Sequence, residues 1–196
     1  MITNPYIKII QHTRIAIEAY HMTSDIKNNM KSVLKKKLEK KCNKNGYIDE
    51  IYRITEYSDG MMPPENLNGG AIYDISYYCK ICIPIENTII IGLVRVINQE
   101  LIIAIHGPIV FFIPKENIDI NIWDLNNNNC INKKTNNKLL VGDYINIQIV
   151  NKRINQNDTQ IKTLGLLLDL SIKEDIDNFY GNKIITEKNN ESNYII

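Results

Sequence analysis

The sequence predicts an α+β protein: a helix-and-strand module at the N-terminus, followed by a small C-terminal β-barrel. Two observations lead to this prediction. An amphipathic helix precedes residue 45, and five short apolar runs separated by turn residues follow Pro84. The chain has 196 residues, enough for one domain or two small ones. The predicted domains are residues 1–84 and 85–181, with residues 182–196 as a flexible tail.

The composition argues against several classes of protein. The formal net charge is +1, from 23 basic and 22 acidic side chains, which does not indicate a strong nucleic-acid or membrane-surface binder. The N-terminal residues do not have the pattern of a signal peptide, and no run is long enough to span a bilayer. We therefore expect a soluble protein in a reducing compartment, with its four cysteines as free thiols.

Residues 24–41, SDIKNNMKSVLKKKLEKK, predict the helix of the first module. Ser24 is the expected N-cap, and the lysines crowd the last turns, where the helix dipole favours cations. We expect the lysine-rich face to be solvated, with phosphate binding as the lesser alternative. The positions that fall on one face at helical spacing are Ile26, Met30, Val33, Leu34 and Leu38.

Two strands are predicted to follow this helix. Residues 45–57 are rich in β-branched and aromatic side chains, although their alternation is not clean. Residues 71–84, AIYDISYYCKICIP, alternate strictly. The side predicted to be buried consists of Tyr73, Ile75, Tyr77, Cys79, Ile81 and Ile83, and the other side carries Asp74, Ser76, Tyr78, Lys80 and Cys82.

The motif Cys79-x-x-Cys82 has the spacing of a half zinc site or a redox pair. Residues three apart on a strand face opposite sides, so the two thiols do not converge on one metal there. Cys42 and Cys130 are isolated in the sequence, and the histidines are not at ligand spacing. We expect no metal and no cofactor. His106, beside Gly107-Pro108, is the most plausible catalytic candidate but is more typical of a turn or surface residue.

The second half predicts a barrel of the OB type, because five short strands carry an insert between the third and the fourth. Gly92 is expected at a bulge or bend of the first strand. The insert, residues 115–138, is polar and Asn-rich, and its DLNNNN run predicts a mobile loop. Ser171 and Glu174 have capping-box spacing and predict a short helix that ends at Gly181. The five strands are predicted at residues 85–97, 100–107, 108–114, 139–154 and 160–170.

Taken in order, several of these segments resemble the RNA polymerase stalk subunit family, which comprises subunit 7 of eukaryotic polymerase II and its counterpart in the archaeal enzyme. The resemblance covers about residues 20–181. The chain departs from the family at Asn98-Gln99-Glu100, where a Gly is usual, and at Glu86, where the family has Gly-Glu. The matching features are Gly46-Tyr47-Ile48, the Tyr73-x-Ile75-x-Tyr77-x-Cys79 strand followed by Pro84, Gly92, Gly107-Pro108 with Val110-Phe111-Phe112-Ile113, and Gly165.

The resemblance implies a ribonucleoprotein-like tip domain followed by an OB-fold barrel. It implies a subunit that is not an enzyme by itself, pairs with a second stalk subunit, docks on the polymerase core and contacts exiting RNA. OB barrels bind single strands through aromatic and basic side chains. The RNA-binding candidates are Arg95, Phe111, Phe112, Lys115, Tyr144, Lys152 and Arg153, and the partner-binding candidates are Tyr47, Met61, Met62 and Tyr78.

Two alternatives remain at this point: a free-standing OB-fold RNA-binding protein, and an interaction protein that acts outside the polymerase. The tip-like half, residues 20–84, argues against the first. The abundance of Ile, Asn and Lys is typical of an AT-rich genome. Together with the departures from the cellular pattern, it suggests a large DNA virus, whose protein would work in the host cytoplasm or the virion. The nucleus of an AT-rich protist is the other source considered.

Overall fold

The structure is a computed structural model that describes residues 2–65, 68–126, 129–133 and 136–180. It is mostly β-structure with a few helices, and its contacts divide it into two compact units. Of the described residues, those within 6–83 and 154–161 form one unit, and those within 2–5, 84–153 and 162–180 form the other. Both units are therefore discontinuous in sequence, whereas the sequence-based division makes a single cut after residue 84.

The unit that begins at Tyr6 contains a four-stranded antiparallel sheet with one helix packed on one face. The strands are β1 (Tyr6–Ile17), β2 (Lys41–Asn43), β3 (Gly46–Tyr57) and β4 (Ala71–Cys82), in the spatial order β1-β4-β3-β2, and the helix is α1 (Ile26–Leu38). Burial of the apolar face of α1 against the sheet stabilises this unit. The core includes Ile15, Ile17, Met30, Leu34, Ile48, Ile51, Ile75, Tyr77 and Cys79.

Helix α1 confirms the predicted apolar face. Met30 and Leu34 are fully buried, and Ile26, Val33 and Leu38 are partly buried against the same core. The predicted cap is wrong, because the N-cap residue is Asp25 rather than Ser24. The Asp25 carboxylate accepts hydrogen bonds from Asn28 Nδ2 at 2.8 and 3.0 Å instead of capping a backbone N–H.

Strand β3 lacks clean alternation because it contains three β-bulges. The register with β4 shifts between Ile48 and Glu50, and it shifts twice more along the strand. Each bulge inserts one extra residue, so side chains three apart return to the same face. Consequently Ile48, Ile51 and Ile54 all lie on the face of the sheet that packs against α1. Each is paired across the ladder with a residue of β4 on that same face.

Strand β1 was not predicted from the sequence. The side facing α1 includes the polar residues Gln11 and Thr13, while Ile10 on the other side is 53% exposed. These inversions break the alternation that identifies a half-buried strand. In β4 the predicted buried side is confirmed from Tyr73 to Ile81, but Cys82 on the opposite side is also fully buried.

The other unit begins its sheet structure with three antiparallel strands and continues with a smaller sheet formed by the insert. Residues 115–117 form a short 3-10 helix between these two parts. The first three strands are β5 (Ile89–Ile97), β6 (Leu101–His106) and β7 (Ile109–Pro114), and the insert contributes β8 (Trp123–Asn126), β9 (Asn129–Asn132) and β10 (Lys138–Leu139).

Two further strands, β11 (Tyr144–Arg153) and β12 (Ile161–Leu170), complete a closed five-stranded barrel. The spatial order is β5-β6-β7-β12-β11, and β11 pairs back to β5. This closed arrangement is compatible with an OB-like barrel. The five predicted barrel strands are present, although β11 begins at Tyr144 and Leu139 belongs to the insert sheet.

The insert is more ordered than predicted. Trp123 is 1% exposed, and its indole Nε1 donates a hydrogen bond to the Leu168 carbonyl oxygen at 3.0 Å. Cys130 is fully buried as well. The DLNNNN run falls on strands β8 and β9, so its assignment as a loop is wrong there, and residues 127–128 lie outside the described residues. A buried Trp supplies enough apolar area to hold a polar segment in place.

Three local predictions change in the barrel unit. Gly92 pairs regularly with Ile145, and the bulge of β5 falls between Val94 and Val96 instead. The second helix, α2, covers residues 173–180. The Ser171 hydroxyl does not form the predicted capping box; it donates a hydrogen bond to Asn146 Oδ1 at 2.8 Å. The predicted stop at Gly181 and the predicted tail at residues 182–196 lie outside the described residues.

Candidate nucleic-acid interface

A groove on the barrel wall brings together three of the predicted RNA-binding residues. It lies over the neighbouring strands β7, β12 and β11 and has a volume of about 430 Å³. Its lining residues are Phe112, Asn151, Lys152, Arg153, Lys162, Thr163 and Leu164. None of these described lining residues is acidic, so the groove presents an aromatic ring and three cationic side chains.

Cross-strand pairing places two of the cations opposite each other. In the β11–β12 ladder, Arg153 pairs with Lys162 and Lys152 pairs with Thr163. Like charges directly opposite on a sheet repel each other, and a bound anion relieves that repulsion. Lys152 is already engaged, because its Nζ donates to the Pro84 carbonyl oxygen at 2.8 Å. Arg153 and Lys162 are both exposed, so an anionic ligand can reach them.

The two neighbouring phenylalanines occupy different environments. Phe111 is fully buried in the barrel, so it has no exposed ring face for a nucleotide base. Phe112 is half-buried on the opposite side of β7 and lines the groove. Alternation along β7 accounts for this difference. Phe112 is therefore the aromatic side chain of the pair that a base could stack on.

Three other predicted RNA-binding residues lie away from the groove. Arg95 is exposed at the bulge of β5. Lys115 is exposed in the 3-10 helix after β7, and its backbone N–H donates to the Glu100 carbonyl oxygen. Tyr144, at the start of β11, packs edge-on against Tyr180 of α2 with ring centroids 5.7 Å apart. The structure does not bring these three side chains into one site with Phe112.

His106 is not a surface or turn residue as predicted. It is the last residue of β6, it is 5% exposed, and its ring contacts Phe179 and Tyr180 of α2. His106 Nδ1 lies 3.3 Å from the Tyr180 hydroxyl. Burial, followed by the proximity of Tyr144, raises the pKa of Tyr180 to about 12. This aromatic cluster holds α2 on the barrel and has the character of a packing contact.

Three residues that line the groove are not predicted from the sequence: Asn151, Lys162 and Thr163. Lys162 is at the start of β12, and the residue that it faces is fixed by the hairpin register with β11. A bulge in β11 shifts that register between Ile149 and Asn151. In the sequence, Lys162 follows a predicted turn, and the strand before that turn ends in Lys152-Arg153. The pairing of Lys162 with Arg153 can be determined only from the structure.

The partner-binding candidates of the sheet unit fall into three environments. Tyr47 is only 9% exposed, so its ring has little surface for a partner. Met61 and Met62 are 71% and 64% exposed, and Met61 is held by paired backbone bonds with Ile72. Tyr78 lies half-buried on the face of the sheet opposite α1, where it packs against Tyr52 with a centroid distance of 5.6 Å.

The cysteines have the properties of core residues. All four are free and buried, and burial raises the pKa of the Cys79 thiol to about 11. A raised thiol pKa disfavours the thiolate that binds metals and attacks disulfides. Within the described ranges, no group of three His, Cys, Asp or Glu side chains is arranged to hold a metal ion.

In the described part of the chain, neither helix is long and apolar enough to cross a membrane.

No family model matches the chain. A relative from Acanthamoeba polyphaga mimivirus, described as "Putative DNA-directed RNA polymerase subunit L376", is 32% identical over 172 residues. That alignment covers 88% of this chain and 86% of the mimivirus protein.

Proposed function

Because the chain belongs to the family of DNA-directed RNA polymerase subunits that includes the mimivirus protein, we propose that it is the stalk subunit of a multisubunit polymerase. In this role it is similar to subunit 7 of eukaryotic polymerase II and to the corresponding archaeal stalk protein. It has no catalytic site of its own. It docks on the polymerase core together with a second stalk subunit.

The observation that carries this proposal is the order of the two folds along the chain. A helix-backed antiparallel sheet comes first, and a closed five-stranded barrel follows. The stalk family has the same order, with a ribonucleoprotein-like tip domain before an OB barrel. We assign the sheet unit to the tip and the barrel unit to the OB domain.

The barrel groove supports a contact with RNA. Phe112 provides a stacking surface, and Arg153 and Lys162 provide cations for phosphates. The formal net charge is only +1, so long-range attraction to RNA is weak and binding depends on these local cations. Binding of this kind suits a transcript that is already held near the barrel by the polymerase.

The tip unit supports contact with protein partners. Met61 and Met62 expose large flexible apolar side chains on a loop, and such side chains are enriched at interfaces. Tyr78 adds a half-buried aromatic ring on the open face of the sheet. We propose these three residues as contacts with the core or with the second stalk subunit. The relative's source favours a virus, with the protein acting in the host cytoplasm or packaged in the virion.

Affinity purification tests the assignment. The tagged full-length chain is purified from its native source, and the co-purifying proteins are identified by mass spectrometry. We expect the large polymerase subunits and a second small subunit to be recovered in near-equal amounts. Recovery of the chain alone, or of RNA without polymerase, would favour a free-standing RNA-binding protein instead.

RNA binding is tested on the purified chain by titrating a fluorescent single-stranded RNA at several salt concentrations. Lys162→Gln is expected to reduce the slope of log affinity against log salt by about 0.7, the value for one lost phosphate contact. Lys138→Gln makes the same charge change on an exposed lysine that does not line the groove and serves as the matched control. Equal slopes for both variants would exclude the groove as the RNA site.

A further inference from the structure

Strand β1 is an edge of the four-stranded sheet, and it is long and regular. It pairs with β4 over all 12 of its residues without a register shift. Among the described residues, β4 is the only strand hydrogen-bonded to β1. On an edge strand, alternate backbone N–H and C=O groups point away from the sheet. The outer side of β1 therefore presents a regular row of donors and acceptors.

The opposite edge of the same sheet is protected. Strand β2 has only three residues, and a loop of the same unit bonds to its outer side. The Asn157 N–H donates to the Cys42 carbonyl oxygen at 2.9 Å, and the Cys42 N–H donates to the Asp158 carbonyl oxygen at 2.7 Å. One edge is therefore short and covered, whereas the described residues provide no such cover for β1.

Strand β1 lacks two of the features that usually protect a sheet edge. Edges are protected by bulges, prolines or charged side chains, and β1 has no bulge and no proline, while its charged side chains, Lys8 and Arg14, are both cationic. Ile7 is 45% exposed and Ile10 is 53% exposed. An apolar residue this exposed at a sheet edge gains burial when another strand adds to it.

The charge of β1 indicates which kind of strand fits. The strand carries Lys8, His12 and Arg14 but no Asp or Glu. Lys8 is directly opposite Lys80 in the sheet, and Lys80 is already paired with Asp49 at 3.2 Å, so Lys8 is the cation here that a partner carboxylate would meet. Arg14 is partly neutralised by Asp74, whose carboxylate lies 2.8 Å from Arg14 Nε.

These charges disfavour a second copy of β1 as the occupant. Two β1 strands paired edge to edge would contribute only cations and no carboxylate. Like charges facing each other across a ladder destabilise it, and opposite charges stabilise it. We infer that β1 accepts an extended acidic segment of another protein as an additional strand. Backbone hydrogen bonds give the affinity, and carboxylates beside Lys8 and His12 select the partner. The inference rests on the proposed function only in placing that partner among the polymerase subunits.

The test uses the full-length chain and a synthetic ten-residue peptide in which Glu and Val alternate. Hydrogen exchange monitored by mass spectrometry reports where the peptide protects backbone amides. We expect protection in residues 6–17. A peptide of the same sequence, N-methylated on every residue, has no backbone donors on either edge and is expected to bind at least tenfold more weakly. A peptide with Lys in place of Glu is expected to be equally impaired.

Charge reversal in the chain separates specific pairing from general attraction. Lys8→Glu is expected to weaken binding of the acidic peptide about tenfold, which corresponds to about 1.4 kcal/mol. Lys44→Glu makes the same change on an exposed residue between β2 and β3 and is the matched control. Loss of binding in both variants, or in neither, would overturn the inference.

Three further outcomes would also overturn it. These are tight binding of the N-methylated peptide, dimerisation of the chain without peptide, and protection of β1 by single-stranded RNA instead of the acidic peptide. Failure of the stalk assignment has a different signature. In that case the chain would bind the acidic peptide along β1 but would not co-purify with polymerase subunits.

Discussion

The Cγ2 methyl group of Ile147 occupies the space that a side chain at Gly165 would need. A Cβ atom built on Gly165 would lie 2.5 Å from this methyl group and 3.3 Å from Ile113 Cγ1. The same isoleucine also contacts Gly92 from the other direction, where a Cβ would lie 2.6 Å from Ile147 Cδ1. One buried side chain of β11 thus explains why the two barrel strands that flank it, β5 and β12, each carry a glycine.

This geometry makes two different predictions for the two glycines. Gly92→Ala and Gly165→Ala should each destabilise the protein by about 1–3 kcal/mol, as overpacking of a core does. Ile147→Val removes Cδ1 but keeps Cγ2. In the Ile147→Val background, the cost of Gly92→Ala should therefore fall, whereas the cost of Gly165→Ala should remain. Double-mutant cycles of urea denaturation measure both couplings.

The Ile147→Val single variant is the control, because removing one methyl group from a core carries its own cost of about 1 kcal/mol. If both glycine variants were rescued equally, the assignment of separate methyl groups to the two contacts would be wrong. If neither glycine variant was destabilised, the result would show that β5 and β12 can move away from Ile147 to make room for a methyl group.

The elements that could be predicted from the sequence are those with an unbroken period. Helix α1 and strand β4 bury, fully or in part, the positions that their patterns indicate. Strand β1 was missed because Gln11 faces the helix while Ile10 faces outward. The DLNNNN run of the insert is predicted as a loop because its residues are mostly polar, whereas the insert is held by the buried Trp123 and Cys130 on either side of that run.

The groove could be predicted only in part, because its residues meet through strand pairing. Phe112 and Lys152 were candidates by residue type alone. Their contact with Lys162 follows from the adjacency of β7 and β12 and from the bulge in β11. Sequence spacing carries little information on either feature, since both depend on residues far apart in the chain.

The turn at Gly107 joins β6 to β7 in a left-handed backbone conformation, with φ at +54°. A β-branched side chain strongly disfavours this region, so Gly107→Val should lower the free energy of unfolding by about 1–3 kcal/mol. Gly107→Asn is the matched variant and should cost less, because Asn tolerates a positive φ. Thermal denaturation of the two variants measures the difference. Equal melting temperatures would show that the turn readjusts.

The two cysteines of the Cys79-x-x-Cys82 motif should be similarly sensitive to substitution. The sequence alone predicts that Cys79→Ser destabilises more than Cys82→Ser, but both side chains are fully buried. Each serine would bury a hydroxyl group at a cost of about 1–3 kcal/mol. The alanine variants at both positions control for lost volume. A neutral Cys82→Ser in chemical denaturation would restore the original expectation.

Acid should weaken the sheet unit through Asp49. Burial alone would raise the pKa of Asp49, but hydrogen bonds from Lys40 and Lys80, at 2.8 and 3.2 Å, outweigh it and hold the pKa below the ordinary value of 3.8. A carboxyl group whose pKa is lowered by folding stabilises the folded state fully above that ordinary value. The stabilisation is lost as the pH falls through the lowered pKa.

Asp49→Asn should therefore reduce the free energy of unfolding at pH 7 by roughly 1 kcal/mol, because Lys80 loses its carboxylate while its side chain is only 16% exposed. The difference from the unsubstituted protein should shrink as the pH is lowered below 3.8. Asp74→Asn is the control, since the ion pair of Asp74 with Arg14 is solvent-exposed and should matter little. Urea denaturation across pH measures both variants. A pH-independent loss in Asp49→Asn would show that its carboxylate charge is not what stabilises the sheet.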